Sequence, residues 1–318
     1  MARKSWIIAA AFSAALGGSL GLVACPGPEP SRLATGGTTA TTPTGGEAAG
    51  GAGGTTTTTT SSSGPDCACD ALDVLIVIDN SYSILDHYQL LLPLFADVGP
   101  TILGVVGRAC SYHVGVVPLT PEVNPSPPSC NTLGDLSRVD YQGNLCDLDN
   151  GIYITEKDVE HFATSMNCLV TEETRPDGTE RALEAVFDVL DGARNAPGGC
   201  NDGFYRPDAP LLVVLITDSD DVLSDVDGVD GGLDPPAAWY DKLVQMKGGN
   251  RNLVAIVGVL SPSSASDAGC DNAPRLHDFL DACLSTNRGS INICAPDPVA
   301  FANAADGIGQ AICPSAGR

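Results

Sequence analysis

Three separated stretches of the chain end in oxygen donors that could meet in space. They are Asp79, Ser81 and Ser83 in "DNSYS", Thr179 in "GTERAL", and Asp218 closing "LLVVLITD". Two carboxylates with three neutral hydroxyls, and no imidazole or thiolate among them, form a hard-oxygen set. Such a set suits Mg²⁺ foremost, with Mn²⁺ or Ca²⁺ as alternatives. Because hydroxyls carry no charge, a divalent ion held this way keeps positive charge to spare and accepts one further anionic oxygen. The chain has no G-x-S-x-G, no HExxH and no pair of CxxC motifs, and its four histidines are scattered. That pattern argues against serine-hydrolase chemistry and against a zinc site.

The elements that must carry these donors follow from apolar patterning. "VLIVI" (74–78) and "LLVVLIT" (211–217) are unbroken apolar runs, as expected of strands covered on both faces. Further strands are expected at 112–119, 252–260 and 290–294, with a short edge strand at 152–155. Residues 85–106 read as a helix, with Leu90, Leu91, Leu94, Val98 and Ile102 at three- and four-residue steps, and Pro93 predicts a kink or a late start. Helices are also expected at 156–169, 179–192, 237–247, 273–284 and 300–313. Strands alternating with helices imply an α/β fold, a doubly wound and mostly parallel sheet with right-handed crossovers. Asp79 and Asp218 then fall at carboxyl ends of strands, where open α/β sheets bind ligands.

In this order of elements and motifs the chain resembles the von Willebrand factor A domain family. The family's metal-ion-dependent adhesion site combines D-x-S-x-S with a distant Thr and a distant Asp. The resemblance spans residues 73–313, and D-x-S-x-S in register with "GTERAL" and "VVLITD" carries it. It implies that Ser81 and Ser83 ligate the metal directly, and that Asp79, Thr179 and Asp218 do so directly or through water. Two departures stand out: "TDS" replaces the frequent Thr-Asp-Gly, and Thr179 is preferred to Thr174 only by its spacing to the following helix. By the same resemblance the protein is not an enzyme but an adhesion or interaction module, whose partner presents an Asp or Glu to the metal. The alternative keeps the motif as metal-free scaffolding in a structural envelope protein, with hydroxyls capping the next helix and Asp79 bonded to loop amides. A phosphotransferase-type hydrolase is more remote. Such enzymes of the haloacid-dehalogenase type need a second aspartate where this chain has Ser81.

The rest of the chain supplies the setting. Residues 1–24 have a basic start and an apolar stretch, the layout of a secretory signal. "LVAC" ends that stretch and resembles the bacterial lipobox, making Cys25 the lipidated residue and the acyl chain a membrane anchor. Residues 25–66 are rich in Thr, Gly, Ser and Pro and read as a disordered tether, whose roughly 40 residues reach about 35 Å. Residues 67–318 then form one domain. Pro26 lacks the aspartate of the enteric sorting rule for inner-membrane retention, which favours the outer membrane. A net charge of −23 argues against nucleic-acid partners. Of twelve cysteines, eleven follow Cys25, and in an exported chain up to five disulfides are expected, Cys283 with Cys294 being a possible local pair. The segment 218–234 holds seven aspartates but has Val229 where an EF-hand loop needs an oxygen, so it reads as a solvated loop.

Overall fold

The computed structural model describes residues 67–121, 127, 129–170, 181–221, 235–264 and 271–314. The signal segment, Cys25, the tether, Thr179, Thr174 and residues 222–234 lie outside them. Six strands make one sheet: β1 (Cys69–Ile78), β2 (Ala109–Pro118), β3 (Ile154–Thr155), β4 (Leu211–Thr217), β5 (Val254–Leu260) and β6 (Arg288–Asn292). Their order is β3-β2-β1-β4-β5-β6. Every neighbouring pair is parallel except β2 with the edge strand β3. Among the described residues seven helices accompany them: α1 (Ile84–Val106), α2 (Phe162–Leu169), α3 (Ala182–Leu190), α4 (Gly192–Asn195), α5 (Pro236–Met246), α6 (Pro274–Ala282) and α7 (Pro298–Ile312).

The two-residue period of a strand divides β1 and β4 between two cores. Leu72, Val74, Ile76 and Ile78, with Leu212, Val214 and Ile216, pack with α1, α2 and α7. Leu75 and Val77, with Leu211, Val213 and Leu215, pack with α3, α5 and α6 on the other face. Burial on both faces is why these strands are written as unbroken apolar runs, each such side chain stabilising the fold by about 1.5–3 kcal/mol. Chain order reverses between β1 and β4: β2 and β3 lie to one side, β5 and β6 to the other. In such a sheet a crevice opens at the carboxyl ends of these two strands.

Several boundaries differ from the expected ones for identifiable reasons. α1 starts at Ile84 and continues through Pro93 and Pro100. Both prolines are exposed, so water can serve the carbonyls that lose their N–H partners. Leu90 is exposed and the buried stripe runs through Leu91, Leu94, Val98, Ile102 and Val105. The expected helix 156–169 is broken. Thr155 and Asp158 form a capping box over a single 3₁₀ turn, and α2 begins afresh at Phe162.

Disulfides fasten the parts that the sheet does not organise. Cys67–Cys110 and Cys69–Cys313 clamp the amino end of β1 to β2 and to the end of α7. Cys130–Cys200 and Cys146–Cys168 tie the irregular excursion after β2 to the β4 side and to α2. Cys294 is disulfide-bonded as well, but not to Cys283, which is a free and buried thiol. The expected Cys283–Cys294 pair is therefore corrected. The Cys283 sulfur lies against the backbone carbonyls of Val254 and Asn287 at 3.9 and 3.4 Å, and burial pushes its thiol up.

Candidate metal site

Asp79 follows β1 directly and Asp218 follows β4 directly, so the parallel pairing that sets Ile78 beside Ile216 also brings the two carboxylates together. Both are buried. Asp79 is held at both oxygens: Oδ1 accepts the Ser81 N–H at 2.8 Å and Oδ2 accepts the Thr217 hydroxyl at 2.7 Å. The Ser81 and Ser83 hydroxyls are 2.8 Å apart, and Ser83 Oγ donates to Asp218 Oδ1 at 3.0 Å. Ser219 Oγ donates to the same oxygen at 3.3 Å, and Ser261 Oγ fixes the Asp218 carbonyl at 2.6 Å. Four of the five expected ligands, Asp79, Ser81, Ser83 and Asp218, thus form one continuous set of oxygens. Thr179 lies outside the described residues.

Burial, and then the Asp79 carboxylate beside it, push the Asp218 carboxyl up to about 7. Among the described residues no group of three or more His, Cys, Asp or Glu side chains forms a metal cluster. The donors here are two carboxylates and two hydroxyls. The serine pair and the Ser83–Asp218 pair, at 2.8 and 3.0 Å, are hydrogen-bonded to one another, and hard oxygens of this kind are the donor chemistry that Mg²⁺, Mn²⁺ or Ca²⁺ takes.

The sequence reading missed several contributors. Thr217 and Ser261 orient the two aspartates from strand ends. His87, on the first turns of α1, brings Nε2 to 3.7 Å from Asp218 Oδ2. Its signal was available, since 83 and 87 lie on one helical face. Asp220 and Asp221 correct the reading of 218–234 as solvated at the start of that segment, residues 222–234 lying outside the described residues. The Asp220 carboxylate accepts the Arg275 and Leu276 N–H groups at the start of α6. Buried Asp221 accepts the Leu183 N–H at 2.6 Å, at the start of α3. The loop after β4 is thereby pinned to two helices, which holds Asp218 in place.

No protein-family model matches the chain, and no curated protein matches it. Among solved structures it is similar to proximal thread matrix protein 1 from the mussel byssus, at 13% identity and a TM-score of 0.44. That likeness covers 78% of this chain and 49% of the other, so the chain spans about half the length of that structure. It is similar too to a von Willebrand factor type A protein from Catenulispora acidiphila (19% identity, TM-score 0.38, 77% of this chain and 43% of that one). A third is the pilus adhesin SpaC from Lactobacillus rhamnosus GG (11% identity, TM-score 0.36, 77% and 30%). The α/β architecture itself stands on the strand order and parallel register.

Proposed function

We propose that this protein is a cell-envelope lipoprotein whose folded domain binds a protein partner through a divalent cation held by Asp79, Ser81, Ser83, Thr179 and Asp218. Ser83 carries the reading. It stands at the start of α1, where a serine ordinarily caps the helix through its side chain, yet it makes no such bond. Its hydroxyl instead reaches Asp218, 135 residues away in sequence. The scaffolding alternative expects a hydroxyl cap on α1 and Asp79 on loop amides; the Asp79–Ser81 N–H bond is present, but the Ser83 cap is not.

When bound, the cation supplies a positive centre that accepts an anionic oxygen. The protein's own residues do the rest. Asp79 and Asp218 would provide the charge that holds the ion; Thr217 and the Ser81 N–H hold the Asp79 carboxylate, Ser83 and Ser219 hold that of Asp218, and Ser261 fixes the Asp218 backbone carbonyl. Tyr82, between the two serines, is 54% exposed and offers an aromatic surface to a partner at the mouth of the site. The net charge of −23 opposes an acidic partner until the two site carboxylates are neutralised. In this reading Cys25 carries the acyl anchor, the tether lifts the domain from the outer membrane, and the disulfides fit an exported chain.

Capture from envelope extract tests the reading. Wild type should retain a partner with Mg²⁺ or Mn²⁺ and release it with EDTA, and the Ser81→Ala, Ser83→Ala double variant should retain none. Retention of the same partner by the double variant in EDTA would place the interaction on another surface.

A further inference from the structure

α3, α4 and α5 enclose a cavity of about 370 Å³ that shares no residue with the metal site. Its apolar wall is Phe187, Leu190, Trp239 and Met246, with the Phe187 and Trp239 ring centres 5.1 Å apart. Its acidic wall lies on α3, where Glu184 and Asp188 stand one helical turn apart. The cations nearby are already engaged. Arg181 donates to Glu184 at 2.7 Å, and Arg194 bonds Asp135, outside the cavity, reaching Asp188 only at 3.5 Å. Lys242 stands 5.2 Å from the centre of the Phe187 ring. Burial still holds the Glu184 and Asp188 carboxyls above their ordinary range, against the pull of these arginines. Trp239 is fully buried, and its indole Nε1 has no hydrogen-bond partner among the described residues. A buried donor left in that state costs stability until it meets an acceptor.

We propose that this cavity binds the free amino terminus of a polypeptide whose first residue is apolar. The inference goes beyond metal-dependent binding and does not rest on it. Three features of the lining select this ligand together. The two carboxylates match an α-ammonium, which is a donor only. The indole N–H needs an acceptor, and a chain start carries its first carbonyl beside the charged nitrogen. The apolar wall takes the side chain between them. A lysine or arginine side chain would serve the carboxylates but bring only further donors to the indole. The volume lies at the small end of the range of about 300–1,000 Å³ for ligand cavities, which suits a chain end. The net charge of −23 draws a cationic group toward this surface, whereas it opposes an acidic one. The competing reading makes Lys242 the permanent counter-ion of the acidic wall, with nothing left to bind.

The test is nuclear magnetic resonance of the whole protein carrying ¹⁵N in tryptophan, whose indole signals come from Trp6 and Trp239 alone. Trp6→Phe assigns them. Leucinamide is the probe, with EDTA present throughout so that no divalent ion contributes. It should move the Trp239 indole proton downfield and saturably. N-acetyl-leucinamide keeps the carbonyl and the side chain but loses the charge, and should bind about tenfold or more weakly. Isopentylamine keeps the charge and the side chain but lacks the carbonyl, and should give no downfield shift. Leucinamide should bind the Glu184→Gln, Asp188→Asn variant about tenfold or more weakly, and Lys242→Gln at least as tightly as wild type. A variant that fails to fold would also lose binding, so the comparison of the three ligands on wild type decides the matter without it. No saturable shift with leucinamide, equal binding of the acetylated compound, the same downfield shift with isopentylamine, or weaker binding by folded Lys242→Gln would overturn the proposal.

Discussion

Asp73→Asn is expected to lower folding stability by about 3–5 kcal/mol near pH 6, the cost of stranding buried charge without its partner. Asp73 lies near the amino end of β1, at the opposite end of the strand from Asp79, and is fully buried. Arg206 donates to it twice, from its backbone N–H at 2.9 Å and from Nε at 2.7 Å. Lys247, also buried, brings Nζ to 3.7 Å, donates to the Arg206 carbonyl at 2.7 Å and sits 4.2 Å from the centre of the Tyr205 ring. His113 lies 3.8 Å away, and burial pulls its imidazole pKa down, so Arg206 and Lys247 are the charged partners of Asp73. Burial pulls the Lys247 ammonium down to about 8, against the opposing pull of the Asp73 carboxylate. Removing that carboxylate lowers the lysine further, so in the variant it sheds its proton below pH 8. The folded variant then binds fewer protons than its unfolded chain over a wider pH range than wild type, and its stability rises with pH through that added range. The penalty should therefore shrink between pH 6 and pH 8. Urea unfolding at the two values checks this, and a loss that is equal or larger at pH 8 contradicts the charge account.

Removing Cys69–Cys313 should be comparably costly. The bond joins residues 244 apart, so in the unfolded chain it closes almost the whole domain into one loop. Chain entropy puts the stabilisation from a loop of that size at about 5 kcal/mol, an upper figure because residual structure in the unfolded chain reduces it. The Cys69→Ala, Cys313→Ala variant should lose several kcal/mol in urea unfolding. Added cation should stabilise this variant by the same amount as wild type, because the bond lies at the sheet end opposite the site and leaves the donors in place. A loss below about 1 kcal/mol would mean that the packing of α7 on α1 fixes the chain end without the covalent clamp.

What the sequence made legible was whatever depends on period and strand ends. Asp79 and Asp218 could be placed because each is the first polar residue after a doubly buried strand, and parallel neighbours must end together. Ser81 and Ser83 followed from their alternate spacing. The contacts made across the fold were not legible. Thr217 and Ser261 look like ordinary hydroxyls beside strands, and only the pairing of β4 with β1 and with β5 brings them to Asp79 and Asp218. Asp220 and Asp221 sit in a run that looks solvated, yet they meet the amino ends of α6 and α3. Cys283 and Cys294 were paired because they are near in sequence. The turn of α6 into β6 instead buries Cys283 among carbonyls. His87 went unread because only the first turns of α1 bring its imidazole to 3.7 Å from Asp218, on a strand far away in sequence.

The central claim is that Asp79, Ser81, Ser83 and Asp218 hold a divalent cation, and thermal unfolding with and without added Mn²⁺ or Mg²⁺ tests it most directly. A ligand that binds only the folded state at a hundred times its dissociation constant stabilises by about 2.7 kcal/mol. For a domain of this size that is a rise of roughly 5–10 °C in the midpoint. Wild type should show the rise and Asp79→Ala should not. The same rise in both proteins, or none in wild type at saturating concentrations of either ion, would contradict the account.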